Sequence, residues 1–240
     1  MTASVEPRER LRPEPVVVKI GGSLMSGDRL AGTAATIARA RRGVVVVPGG
    51  GSFADEVRRA QSRHEISDRA AHAMALLAMH QTGLLLEDMQ PRFVAVETMA
   101  GIRKALAANR VPVWLPTRLS VTDTEIPADW SITSDGLAAR LAERLGLSNV
   151  VLVKSRRVPA GPGAAELAAA GIVDSAFVDI VARAGLEFRI VGPGEERELA
   201  ELVGAMAPAQ CTPRRGTSRL DRARRWVRRA VIGPTPAPRA

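Results

Sequence analysis

Only three of the 34 basic residues in this chain are lysines, at positions 19, 104 and 154, and two of them close apolar runs: Pro15-Val-Val-Val-Lys19-Ile20 and Val150-Val-Leu-Val-Lys154. An ammonium at the end of an apolar strand is costly unless an anion pairs with it. A compact point charge there suits a phosphoryl group in transfer, where positioning and positive charge around the equatorial oxygens supply most of the catalysis. Snorkelling to the sheet edge accounts equally well for either lysine alone. Lys104 falls mid-helix and reads as a solvated surface charge.

Glycine clusters follow the first two apolar runs, as Gly21-Gly22-Ser23 and Gly49-Gly50-Gly51. Glycine is required where backbone N–H groups approach an anion closely, since a Cβ would block contact or forbid positive φ. The second cluster feeds Ser52-Phe-Ala-Asp55, a capping-box-like helix start with its positive end behind the turn. Two such cradles on adjacent strands suggest two phosphoryl-bearing ligands, whereas a tight strand-to-helix turn explains either one by itself. Neither is a Walker A loop, and neither is the G-x-G-x-x-G dinucleotide fingerprint. Asp135, after Thr133-Ser134, opens a helix. It reads as a dipole-stabilising residue, or as an acid that holds the lysines or touches magnesium among phosphates.

The elements that must position these residues alternate in type. Strands are expected over 15–20, 44–47, 93–97, 111–115, 150–154 and 187–191. Helices are expected over 28–42, 52–61, 67–89, 99–109, 134–145, 163–170, 174–185 and 195–206, with a polar segment at 116–133 interrupting the alternation. Apolar strands without polar alternation belong to a parallel sheet covered on both faces. The fold class is therefore α/β, a three-layer αβα sandwich with a mostly parallel central sheet. The domain spans 15–207, between a flexible N-terminus, 1–14, and an Arg-rich tail, 208–240.

Composition excludes several functions. The net charge is +9, but residues 213–240 hold nine Arg and one Asp, or +8, leaving +1 for the rest. A pI near 11 therefore describes a tail rather than a basic face, and 3% aromatic residues without Tyr leave few platforms for stacking bases. Nucleic acid is not an expected partner. The single Cys211 forms no internal disulfide, and no Cys/His cluster has zinc spacing. The first fifteen residues lack a signal peptide's apolar core, and the richest apolar stretch, 70–86, is broken by His72, His80, Gln81 and Thr82. A cytoplasmic protein without a membrane span is expected. The tail stripe Leu220, Ala223, Val227 and Ala230, beside Trp226, reads as a short basic amphipathic helix.

Taken together and in this order, Lys19-Ile-Gly21-Gly22-Ser23, Pro48-Gly-Gly-Gly51 and Thr133-Ser134-Asp135 resemble the amino acid kinase family over about residues 16–207. The stretch Ala54-Asp55-Glu56-Val57-Arg58 and residues 71–81 and 128–135 are similar to one branch of it. That branch is the [5-(aminomethyl)furan-3-yl]methyl phosphate kinases of methanofuran biosynthesis and their relatives in bacterial one-carbon metabolism. The resemblance implies that Lys19 contacts the transferring phosphoryl, that Gly21, Gly22 and Ser23 cradle ATP phosphates, and that Lys154 serves the nucleotide side. It implies that Gly49, Gly50 and Gly51 bind the acceptor's phosphate and that Asp135 orients the lysines. Asp55 stands where an acid would meet an amine-bearing acceptor, although a capping role fits it equally. The implied cofactors are ATP and Mg2+, and the reaction converts a phosphate monoester to a diphosphate in a homo-oligomer with a small-molecule phosphate substrate. Two other readings of the resemblance are a carboxylate kinase forming an acyl phosphate and a non-catalytic binding or storage relative. The chain departs from many members in carrying Ser155-Arg156-Arg157-Val158 where they carry Asp-Val-Asp-Gly. His64, in a polar stretch, reads as surface, and His72, beside Met74, Ala75 and Ala78, reads as packing or a subunit contact.

Overall fold

A computed structural model describes residues 13–159 and 161–205. The Arg-rich tail with its expected amphipathic helix, Cys211 and the first twelve residues of the N-terminal segment lie outside the described residues. The strands are β1 (Val16–Ile20), β2 (Val44–Pro48), β3 (Phe93–Val96), β4 (Val111–Trp114), β5 (Asn149–Val153) and β6 (Glu187–Val191). They form a six-stranded sheet in the order β3-β4-β2-β1-β5-β6, parallel at every pairing. The helices are α1 (Arg29–Ala38), α2 (Gly51–His64), α3 (Asp68–Met89), α4 (Met99–Ala107), α5 (Thr117–Ser120), α6 (Ser134–Leu145), α7 (Ala164–Ala169), α8 (Ser175–Ala184) and α9 (Glu196–Leu202).

Period-2 alternation divides the strand residues between two cores. Val16, Val18 and Ile20 of β1 pack with Leu30 and Ile37 of α1 and Leu199 of α9. Val17 of β1 and Val150 and Leu152 of β5 pack on the other face with Leu137 and Leu141 of α6, Phe177 of α8 and Ile102 of α4. Three layers result, and because helices cover both faces the central strands are apolar except for Lys19 in β1 and Asn149 at the start of β5.

Two elements depart from the expected pattern. Gly22–Ser26 is a 3-10 turn that buries Leu24, where only a turn was expected. The polar segment at 116–133 begins with the single-turn helix α5, seated by the backbone N–H of Thr117 donating to His80 Nε2. Seen from β1, the chain reaches β2 on one side through α1 and β5 on the other through α6. Such a switch in strand order opens a crevice beyond the strands' carboxyl ends.

Candidate active site

Strand parity decides where the two lysines go. Lys19 follows Val17, and Lys154 continues the series Val150 and Leu152, so both ammonium groups fall on the α6 side. Asp135 meets them from the first turn of α6. Its Oδ2 accepts a 2.6 Å hydrogen bond from Lys154 Nζ, and Lys19 Nζ makes a 2.8 Å ion pair with Oδ1. Side-chain exposures of 7%, 6% and 12% for Lys19, Asp135 and Lys154 rule out snorkelling. Lys154 Nζ also donates to the carbonyl of Ile172.

Burial pushes the Asp135 carboxyl up, but the charges of Lys19 and then Lys154 more than reverse this and hold it below the usual carboxylate range. For Lys154, burial first and then the charge of Lys19 bring the pKa from the ordinary 10.5 to about 8, against the opposing pull of Asp135. The triad carries two positive charges against one negative. A desolvated site with one net positive charge is suited to an anion.

The two glycine turns form one piece of backbone. A Cβ on Gly22 would lie 2.2 Å from the Gly51 nitrogen, one on Gly49 would lie 2.4 Å from the Gly22 nitrogen, and one on Gly21 would lie 2.7 Å from the Val153 carbonyl. Gly51 adopts φ +58, which side chains resist. Gly22→Ala should therefore force the turns apart, lowering stability by roughly 1–3 kcal/mol. Thermal denaturation checks this, and an unchanged midpoint would count against fused turns.

Beyond these turns lies a cavity of about 190 Å³. Its walls include Gly22, Ser23, Gly50 and Gly51 at one end, an apolar floor with Leu76, Met79 and Ile132, and Asp55, Arg58 and Trp130. Asp55 does not cap α2. The helix begins at Gly51 with no side-chain cap, and Asp55 Oδ1 accepts from Arg58 at 3.2 Å. His72 lies on the cavity wall rather than in packing alone, its Nδ1 3.2 Å from the Asp129 carbonyl. His64 and Lys104 are exposed. Ser23 Oγ lies 2.7 Å from Ser155 Oγ, while Arg156 donates to Gly171 O and Arg157 pairs with Glu195.

Sequence reasoning missed Asp174, Arg29, Arg58 and Trp130. Asp174 Oδ2 accepts from the Thr133 N–H, the Thr133 hydroxyl and the Gly136 N–H, and its Oδ1 accepts from the Phe177 N–H. One carboxylate thus caps both α6 and α8 and fixes the turn that carries Asp135. Burial is the largest influence on Asp174 and pushes its pKa up against those donors. Arg29 donates to the carbonyls of Lys154 and Gly192, tying the ends of β5 and β6 together. The helix-opening position of Asp174 was a legible cap signal, but nothing in the sequence joined it to α6.

A parallel sheet with paired glycine turns and a buried Lys–Asp–Lys triad makes an α/β crevice whose charge suits an anionic ligand. The amino acid kinase family model matches residues 14–156, more than half of the chain, and the chain belongs to that family. It is 25% identical over 138 residues to the [5-(aminomethyl)furan-3-yl]methyl phosphate kinase of Methanocaldococcus jannaschii, a match covering 57% of this chain and 63% of that protein. The chain therefore spans less than two thirds of that relative. Among solved structures, uridylate kinase from Archaeoglobus fulgidus superposes with a TM-score of 0.59 at 19% identity, covering 79% of this chain and 95% of the other. UMP kinase from Ureaplasma parvum gives 0.53 at 17% identity, covering 77% and 92%. These two share the fold.

Proposed function

We propose that the protein is an ATP-dependent kinase that phosphorylates a phosphate monoester to a diphosphate, with an (aminomethyl)furan-methyl phosphate of methanofuran-type biosynthesis as the acceptor. The observation that carries this reading is the fused pair of glycine turns beside the Lys19–Asp135–Lys154 triad. ATP phosphates are assigned to the turn at Gly21 and Gly22, whose backbone packs too closely on Val153 and Gly51 to admit a Cβ. The acceptor's phosphate fits Gly50, Gly51 and the N-terminus of α2. An acceptor phosphate oxygen attacks the γ-phosphorus while its bond to the bridging oxygen breaks, and ADP leaves with that electron pair. No proton need be removed from a phosphate dianion, so the protein's work is alignment and charge stabilisation. Lys19 neutralises the transferring group, Lys154 serves the leaving side, and Asp135 holds both. Among the described residues no group of three or more His, Cys, Asp or Glu is placed to hold a metal. Magnesium would thus be held chiefly by the nucleotide's own phosphates.

Asp55 is the acid available to an amine-bearing acceptor, once Arg58 yields it. The exposed face of α3, with Met74, Leu77, Leu84 and Leu85, suits a homo-oligomer. Among the described residues no helix is long and apolar enough to cross a membrane. With a single cysteine, a cytoplasmic setting completes the reading. Purified protein given ATP and the furan phosphate should release ADP and form the diphosphate, and no turnover would count against the assignment.

The triad also predicts pH dependence. Lys154 loses its charge near pH 8, so kcat/KM should fall with an apparent pKa of about 8. The fall in kcat should lie at higher pH, because bound phosphates favour the ammonium. Stability moves the other way: between about pH 8 and 10.5 the unfolded chain holds the Lys154 proton and the folded chain does not, so stability rises with pH there. Rate profiles for the wild type and Lys154→Arg test this, since arginine does not titrate in that window. A flat wild-type profile through pH 8 would refute it.

A further inference from the structure

Trp130 reaches the cavity from the loop between α5 and α6 and is latched to α2. Its Nε1 donates to Gln61 Oε1 at 2.6 Å, and the Arg58 guanidinium carbon lies 4.3 Å from the ring centroid. The neighbouring Asp129 carbonyl meets His72 Nδ1 at 3.2 Å, Gln61 Nε2 donates to Asp68 Oδ1, and the Ser131 carbonyl accepts from the Ala176 N–H. The loop is thus anchored to α2, α3 and α8, with Trp130 at one end of the cavity and the glycine turns at the other.

Helix α2 acts as a ruler between those ends. Gly51 and Arg58 both line the cavity and stand seven residues apart, which at 1.5 Å per residue is about 10 Å along the helix. Once a phosphate occupies the glycine end, the remaining length holds one ring or a short chain and not a ribose carrying a base. The volume agrees, since about 190 Å³ is small beside the roughly 300–1,000 Å³ of ordinary ligand sites. The apolar floor of Leu76, Met79 and Ile132 would leave ribose hydroxyls without partners, which disfavours their burial.

We propose that Trp130, held by Arg58 and Gln61, sets the length of the acceptor, so that the site takes a phosphate monoester of a single ring or short chain and rejects nucleotides. This rests on the phosphoryl-transfer reading, but it is tested by binding, which needs no turnover. Calorimetric titration of the wild type with (aminomethyl)furan-methyl phosphate, benzyl phosphate and UMP should show at least one compact ester binding about tenfold or more tighter than UMP. Trp130→Ala should erase most of that preference by strengthening UMP binding. Arg58→Ala, at a half-exposed side chain, frees the indole and should move the preference of benzyl phosphate over UMP the same way, which keeps the test intact if the tryptophan variant fails to fold. Wild-type binding of UMP as tight as either ester, binding of neither ester, or a preference unchanged in the variants would overturn the proposal. Size discrimination without ADP release from ATP would uphold the latch and sink the kinase reading. ADP release with UMP as the best acceptor would do the reverse.

Discussion

Asp135→Ala should lower the unfolding free energy by about 3–5 kcal/mol, because it strands two ammonium groups in a site nearly closed to water. Desolvation already holds Lys154 near pH 8, and without the carboxylate its pKa falls further. The sign of the pH dependence follows. The deficit is full where both lysines remain charged and shrinks as rising pH lets Lys154 go neutral. Asp135→Asn should be nearly as damaging, since it keeps the shape and loses the charge. Urea denaturation on either side of pH 8 reads the effect, and a wild-type midpoint for Asp135→Ala would refute it. A triple variant, Lys19→Met with Lys154→Met and Asp135→Leu, should recover most of the lost stability and remain inactive. Apolar replacement of a buried ionic cluster is often neutral or stabilising. That recovery would show the triad to be retained for chemistry rather than for the fold.

Lys19→Met carries the largest expected effect on activity. The side chain keeps its length and loses the charge that we propose faces the transferring phosphoryl group, so kcat should fall by about 10²–10³-fold, as on losing one preorganised electrostatic contact. The fold should survive, because Asp135 retains Lys154 as a partner at 2.6 Å. The KM for ATP should change much less than kcat, since the stabilisation appears mainly in the transition state. A variant with wild-type kcat would remove Lys19 from the chemistry, and one lacking structure by circular dichroism would leave Lys154→Met as the cleaner probe.

Much of this arrangement was legible before any coordinates. The apolar runs at Val16–Ile20, broken by Lys19 alone, and Val44–Pro48 indicated a sheet covered on both faces, and the sheet is parallel at every pairing. A lysine at the end of such a run, in a chain that otherwise uses arginine, marked Lys19 and Lys154 as unusual for a simple energetic reason. Asp135 was harder, because an acid in a first helical turn is explained locally by the dipole and only the partner strands show otherwise. For Asp55 the sequence left capping and an acceptor contact equally open, because helix-start composition does not say where the first helical hydrogen bond forms; α2 begins at Gly51 with no side-chain cap, which removes the capping alternative. Asp174, Arg29, Arg58 and Trp130 act on partners 38 to 163 residues away in these contacts, distances over which local pattern carries no information.

The sequence by itself determined the layers, the alternation of elements and which residue types were out of place, because these follow from periodicity and from the cost of burying charge. Parity placed Lys19 with Val17, yet which helix would cover that face depended on the order in which the strands assembled. Only the tertiary structure brought β5 beside β1, set α6 across both, and so delivered one carboxylate to two ammonium groups drawn from strands more than a hundred residues apart. It also fused the glycine turns and latched Trp130 over the cavity. Those contacts arise from packing between elements, whose free energies depend on neighbours that no local stretch of chain specifies.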